Sequence, residues 1–175
     1  MAEVNRVGML TWGAGVASAA NVTLIPEVEP DLDEITSIFE KRAANGEKWG
    51  LVAVSEGVTL SEELMTQNTE TDEFGHVRLG GIAETLAKEI ESRTGIETRH
   101  VVLGHLQRGG TPTAYDRILS TRYGLRAAEA VKDGEWGKMV ALRGNEIVTV
   151  DLSEATDETK TVPADLYRAA ETFFG

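Results

Sequence analysis

The stretch ANVTLIPEVEPDLDEITSIFEKRAANGEKWGLVAVSEG, residues 20–57, decides the fold class. Within it VTLIPE (22–27) is a short β-branched run closed by proline, and WGLVAVSEG (49–57) is a second apolar run closed by Ser55, Glu56 and Gly57. Short runs that are apolar throughout, rather than alternating, belong to strands covered on both faces. Between them Leu32, Ile35, Ile38, Phe39 and Arg42 recur at helical spacing. Acids stand in the first turn, Lys41 and Arg42 come late, and Gly46 is the stop; each position suits the helix dipole and helix termination.

The alternation continues outward. Ile82, Leu86 and Ile90, with Ala83 and Ala87 beside them, mark a second amphipathic helix ending near Gly95. A polar stretch from about Thr59 to Gly75 reads as a loop, and HVVLG (100–104) as a third strand. Thr111 as cap and Pro112 at the first helical position open a helix with Ile118, Leu119, Leu125, Ala128 and Val131 on its apolar face, before Gly134. KMVALRGNEIVTVDL (138–152) reads as two strands about the turn pair Gly144-Asn145, and PADLYRAAETFF (163–174) as a last short helix. The pattern predicts an α/β fold, a parallel sheet with helices on both faces in three layers. Ligands of such sheets sit beyond the carboxyl ends of the strands, which points to Ser55-Glu56-Gly57 and to His105 through Gly110.

Composition narrows the classes. The 175 residues suffice for one domain or two small ones, and the formal net charge of -12 argues against phosphate-backbone binding, so no nucleic-acid partner is expected. Cysteine is absent, and the three histidines (76, 100, 105) have no metal-ligand spacing. No apolar run approaches the roughly 20 residues of a membrane span, and MAEVNRVGML has no secretory-signal pattern. A cytoplasmic protein with no membrane partner is expected.

Against this acidic background, Thr98 to Arg126 holds Arg99, Arg108, Arg117, Arg122, Arg126, His100 and His105, with Asp116 the only acid. Arginine's planar fork holds phosphate oxygens, glycines admit an anion to backbone N–H groups, and a helix N-terminus after Gly109-Gly110 adds its dipole. This is the pattern of a phosphate site. Arg117, Arg122 and Arg126 lie on a helix and read as solvated, or as paired with Asp116 or Glu129; His105 and Arg108, after a buried strand, carry the functional reading. Glu56 reads equally as a helix-cap partner and as an acceptor for sugar hydroxyls. Gly80-Gly81 reads as a turn.

VLGHLQRGGTPTAYDR, preceded by DEFGHVRLGGI and RTGIETR and followed by YGLRAAEAV and GKMVALRGNEIV, resembles the C-terminal half of 6-phosphofructokinases, above all the bacterial group with pyrophosphate-using members. The likeness runs from about Ala14, through ANVTLIPE and VAVSEG, to ETFFG. It implies that His105 and Arg108 bind the 6-phosphate of fructose 6-phosphate and that Glu56 accepts from fructose hydroxyls. It also implies that Arg99 reaches the phosphate across a subunit interface, so that a homo-oligomer completes the site. The reaction implied is phosphoryl transfer to O1 of fructose 6-phosphate, with Mg²⁺ and ATP or pyrophosphate.

The family's GGD glycine loop and TIDND-like aspartates, which serve the donor, the metal and catalysis, do not occur in this sequence. NRVGMLT resembles the family's first strand, but Trp12-Gly13-Ala14-Gly15 follows it; EVNRVG alternatively matches a sugar-site segment and makes Arg6 a candidate. The chain thus resembles a shortened member, expected to be inactive alone. Its regions are a sugar-phosphate-binding part, 1–111, and a helix–hairpin–helix part, 112–175, which in the family packs partly on the nucleotide-binding lobe. The alternative is a non-catalytic sugar-phosphate-binding or interaction fragment.

Overall fold

The computed structural model describes residues 8–60, 81–157 and 159–175. Most of the polar stretch read as a loop, Gly80, and the candidate Arg6 lie outside these residues. The chain forms two compact units, one of residues 1–102 with 160–175, the other of residues 103–159. The boundary drawn from sequence after Thr111 falls inside the second unit.

The first unit contains α1 (Met9–Ser18), β1 (Val22–Leu24), α2 (Leu32–Ala44), β2 (Val52–Val54) and α3 (Gly81–Thr94). β1 and β2 pair in parallel with Val22 opposite Val52 and Leu24 opposite Val54. Side chains alternate across a strand. Val22 and Leu24 therefore enter a core with Ile35, Ile38 and Phe39 of α2 and Ile82, Leu86 and Ile90 of α3, while Thr23 meets Gly15 of α1 on the other face. That second face is closed by Ile25, Val162 and Tyr167, with Met9, Trp12 and Leu166 packed against them. The α/β architecture is thus present in three layers about a two-stranded parallel sheet.

α2 follows its sequence signals closely. Asp31 caps it by accepting from the Asp33 and Glu34 N–H groups, Asp33 and Glu34 stand in the first turn, and Lys41 and Arg42 in the last. α1 departs from expectation: NRVGMLT resembles a strand, but Met9, Leu10 and Thr11 open a helix. Its contact residues Met9 and Trp12 lie one turn apart, and Gly15 allows its backbone to sit directly on β1. A Cβ at Gly15 would lie 2.2 Å from Thr23 Oγ1.

The last helix of the chain, Ala164–Glu171, belongs to this unit although the whole second unit, residues 103–159, comes between it and Val102. Four contacts hold the segment. Trp12 Nε1 donates to the Leu166 carbonyl at 2.7 Å, and the Glu27 carboxylate accepts from the N–H groups of Gly8 at 3.0 Å and Val162 at 3.1 Å. Arg42 Nη1 donates to the Gly175 carbonyl at 2.9 Å. Finally, the buried Tyr167 hydroxyl donates to the Thr23 carbonyl at 3.0 Å.

Burial pushes the Tyr167 phenol up to about 12, with the charges of Glu171 and Glu34 acting in the same direction. The fold therefore favours the neutral phenol. Its contribution is complete below the ordinary tyrosine value of about 10 and is lost as pH rises from there through about 12. Urea unfolding should show stability falling across that window, and Tyr167→Phe should flatten the fall while losing about 1 kcal/mol at neutral pH with the hydrogen bond.

The second unit contains α4 (Ala114–Lys132), β3 (Lys138–Arg143), β4 (Glu146–Asp151) and α5 (Ser153–Thr156), which leaves α6 for the last helix, Ala164–Glu171. β3 and β4 form the expected antiparallel hairpin, with Arg143 opposite Glu146 across Gly144-Asn145. Gly144 has φ +61°, the left-handed backbone that a two-residue hairpin loop needs and glycine supplies.

The expected third strand does not form. Residues 95–103 have no regular structure, and Val101 is 77 % exposed. A β-branched run gains stability from cross-strand partners and burial rather than from its backbone preference, and HVVLG has neither in this structure.

Candidate functional site

Glu56 stands where the sequence rule for α/β sheets puts a ligand group. The Ser55 N–H donates to the Leu24 carbonyl at 3.1 Å, extending the β1–β2 ladder by one bond, and the Val58 N–H returns to the Ser55 carbonyl at 3.1 Å. That turn carries Glu56, half-buried, past the carboxyl end of β2. At the neighbouring end of β1 lies Glu27, which sequence reasoning did not single out. Its carboxylate is spent on the backbone of Gly8 and Val162, and it ties the strand end to both the start of α1 and the segment before α6. The hint was LIPE, an acid just after a strand-ending proline.

Arg99 is exposed and points its guanidinium at Glu97, with Nη2 and Nε at 2.7 and 3.0 Å from one carboxylate oxygen. That hydrogen bond and charge raise its pKa above the ordinary arginine value. An exposed ion pair contributes little to stability, so Arg99 can exchange Glu97 for a phosphate oxygen at small cost. Its charge is permanent across the physiological range.

His105 and Arg108 belong to the second unit and share one 3-10 turn, Gly104–Arg108. This turn replaces the strand end expected at Gly104. The Leu106 N–H donates to the Leu103 carbonyl and the Gly109 N–H to the Leu106 carbonyl, both at 2.9 Å. Gly109 therefore serves the turn itself: its N–H is used there, and an added Cβ would lie 3.2 Å from the Leu106 oxygen. Gly110, at φ +97°, turns the chain toward α4. His105 is exposed. Glu56 and Arg99 thus lie in the first unit, His105 and Arg108 in the second.

The helix after the glycine pair begins later than Thr111-Pro112 indicates. Thr113 is the N-cap and Ala114 the first helical residue, and a capping box closes the end. Asp116 N–H donates to Thr113 Oγ1 at 3.2 Å, while the Asp116 carboxylate accepts from the Thr113 N–H at 2.8 Å and from its hydroxyl at 2.7 Å. The signal was TAYD, an acid three residues after a threonine. Asp116 is therefore a capping residue and not an arginine partner. Arg122 instead donates to the Asn145 carbonyl at 2.8 Å, and Arg126 pairs with Glu135 at 2.7 Å. Thr149 joins that pair by donating to Glu135 at 2.6 Å. The structural reading of these two arginines stands with different partners.

The hydroxyl and N–H of Thr113 hold the Asp116 carboxyl below the usual aspartate value. With the folded pKa depressed, its contribution is present above the unfolded value of about 3.9 and disappears as pH falls through the lower folded one. Thr113→Ala should cost about 1 kcal/mol. Circular dichroism during acid titration should show wild type and Asp116→Asn converging only below the usual aspartate range.

Among the described residues no three His, Asp or Glu side chains converge. Among the described residues, a cleft in each unit is lined by none of Glu56, Arg99 and His105. Among the described residues no helix is long and apolar enough to cross a membrane.

Comparison with known proteins bears on the same residues. The sequence profile of the phosphofructokinase family matches residues 5–131, which include Glu56, Arg99, His105 and Arg108. The chain is 53 % identical over 173 residues to a pyrophosphate–fructose 6-phosphate 1-phosphotransferase of Amycolatopsis mediterranei, covering 97 % of this chain and 50 % of that protein. It is 51 % identical over 175 residues to the protein of the same name from Amycolatopsis methanolica, again over 97 % and 50 % of the two chains. An ATP-dependent 6-phosphofructokinase of Mycobacterium tuberculosis is 44 % identical over 171 residues, with the same coverage. Both donor types thus occur among the relatives, and the chain spans about half their length. On a profile match that takes in the βαβ unit, the SEG turn and the GHLQRGG turn, the chain belongs to the phosphofructokinase family.

Proposed function

We propose that this chain binds fructose 6-phosphate, the phosphoryl acceptor of the phosphofructokinase reaction. In this reading His105 and Arg108 hold the 6-phosphate from the Gly104–Arg108 turn, Glu56 accepts hydrogen bonds from fructose hydroxyls, and Arg99 of a second copy completes the phosphate site. The supporting observation is the family match across all four residues, with Glu56 at the carboxyl end of β2. An exposed, charge-assisted phosphate site is a reasonable acceptor cradle, because each such bond contributes about 1.5–3 kcal/mol.

Phosphoryl transfer itself depends on positioning and on neutralising the moving phosphoryl with a metal ion and cationic groups. This sequence has neither the GGD nor the TIDND-like stretch. We assign these residues acceptor binding without turnover on their own; Mg²⁺ and ATP or pyrophosphate would have to be served by residues outside this sequence. A coupled assay for fructose 1,6-bisphosphate, run with each donor, tests this. The expected rate equals the buffer control, and donor-dependent product from the purified chain would establish a complete enzyme instead.

A further inference from the structure

Of the residues assigned to the sugar phosphate, Glu56 has the most exacting task. A phosphate is drawn to cations over several ångströms, because charge attraction falls slowly with distance. A hydroxyl reaching a carboxylate needs a contact of about 2.5–2.7 Å with good alignment, so a displaced acceptor loses its bond outright. The backbone that carries Glu56 must therefore be fixed more firmly than that of an exposed arginine.

β2 itself is a weak anchor. Its three residues are only half-buried, and the bond from the Ser55 N–H to the Leu24 carbonyl extends its pairing by one residue. The firmer anchorage comes after the turn. The Val58 N–H donates to the Ser55 carbonyl at 3.1 Å and closes Ser55–Val58 as a β-turn, with Glu56 and Gly57 at its tip. Val58 is 3 % exposed and Leu60 5 %, with the exposed Thr59 between them. Both apolar side chains join the core made by Ile35, Ile38 and Phe39 of α2 and Ile82, Leu86 and Ile90 of α3. Glu56 stands two positions before a side chain buried more completely than any in β2. The Leu24–Ser55 bond holds one end of the turn and the buried Val58 the other. In a close-packed interior a missing methyl is answered by a cavity or by movement of its neighbours, and here the part free to move is the turn, not α2 or α3.

We infer that Val58 is a positioning residue for Glu56, and that its packing sets how well the chain tells a sugar phosphate from phosphate alone. This role rests on the acceptor reading of Glu56 and adds to it a buried residue that acts only through the turn.

Calorimetric titration of the full chain with fructose 6-phosphate and with inorganic phosphate tests it. Val58→Ala should weaken fructose 6-phosphate binding about tenfold, the lower end for one charge-assisted hydrogen bond, and leave phosphate binding within about twofold. Val58→Ile, which refills the site, should restore the wild-type ratio of the two affinities. Ile90→Val trims the same core away from the turn and should lower stability with that ratio unchanged. In a Glu56→Ala background Val58→Ala should add nothing, because both changes act on one contact. Should Val58→Ala fail to fold, amide hydrogen exchange of the unaltered chain carries the test: the Val58 N–H should be protected as strongly as the amides in the middle of α2. Absence of fructose 6-phosphate binding, or binding unchanged in Glu56→Ala, removes the acceptor reading and this role with it. A loss in Glu56→Ala without one in Val58→Ala overturns the role alone. So do equal losses for both ligands, full additivity of the two substitutions, or a Val58 N–H that exchanges at the free rate.

Discussion

Arg108→Ala should weaken fructose 6-phosphate binding by about a hundredfold or more. In the proposed site, truncation would remove a guanidinium able to bind a dianionic phosphate in two places, and losing two charge-assisted hydrogen bonds at about 1.5–3 kcal/mol each amounts to that factor. Arg108→Lys should recover only part of it, because an ammonium keeps the charge and loses the fork. His105→Ala should cost less, and Arg117→Ala almost nothing, since Arg117 lies within α4 and outside the Gly104–Arg108 turn. Isothermal calorimetry separates these outcomes. Equal effects from Arg108→Ala and Arg117→Ala would mean that the local positive field, and not a defined phosphate site, attracts the ligand.

Gly15→Ala should destabilise the chain by about 3 kcal/mol, at the upper end of the usual overpacking range. The new methyl would lie 2.2 Å from Thr23 Oγ1 and 2.8 Å from Thr23 Cγ2, and Thr23 is fully buried on β1. Neither partner can rotate away, so α1 must lift from the sheet and loosen the Trp12 and Tyr167 contacts that retain the C-terminal segment. The compensating change is specific. Thr23 Oγ1 is buried with no hydrogen-bond partner, so Thr23→Ala removes an orphaned hydroxyl as well as the obstructing atoms. The double variant Gly15→Ala/Thr23→Ala should recover most of the loss in urea unfolding. Strict additivity of the two single effects would show that the contact is not the cause.

Much of this molecule is legible in its sequence where local signals and tertiary packing agree. The first βαβ unit is such a case: the two apolar runs, the Asp31 cap and the late Lys41-Arg42 pair all specify the same structure, and β1, α2 and β2 form within those bounds. The 138–152 hairpin is another, because Gly144-Asn145 sets both turn and register. HVVLG shows the opposite. Its composition asks for a strand, but strand formation is decided by neighbours, and no periodicity reports whether a neighbour is there. The start of α4 turns on a competition between Pro112 at a first helical position and the Thr113–Asp116 capping box; the reciprocal hydrogen bonds win by two residues. α1 was hidden for a different reason, since two glycines lower its helix signal while Gly15 is what lets it pack on Thr23.

The site is legible in part. Glu56 stands past the carboxyl end of β2 as the two apolar runs indicate, whereas GHLQR forms a 3-10 turn where the sequence indicates a strand end. The roles of Gly109, Asp116 and Glu27 are set by backbone contacts that the residue types alone do not reveal. All three consume hydrogen-bonding capacity that a sequence reading could otherwise offer to a ligand.

The central claim is that this chain is an acceptor-binding member of the phosphofructokinase family. Calorimetric titration of the purified chain with fructose 6-phosphate, beside fructose and inorganic phosphate as controls, tests it most directly. The account predicts saturable binding of fructose 6-phosphate, competed by phosphate and absent for fructose. No heat of binding with fructose 6-phosphate under conditions where the chain is folded would contradict it.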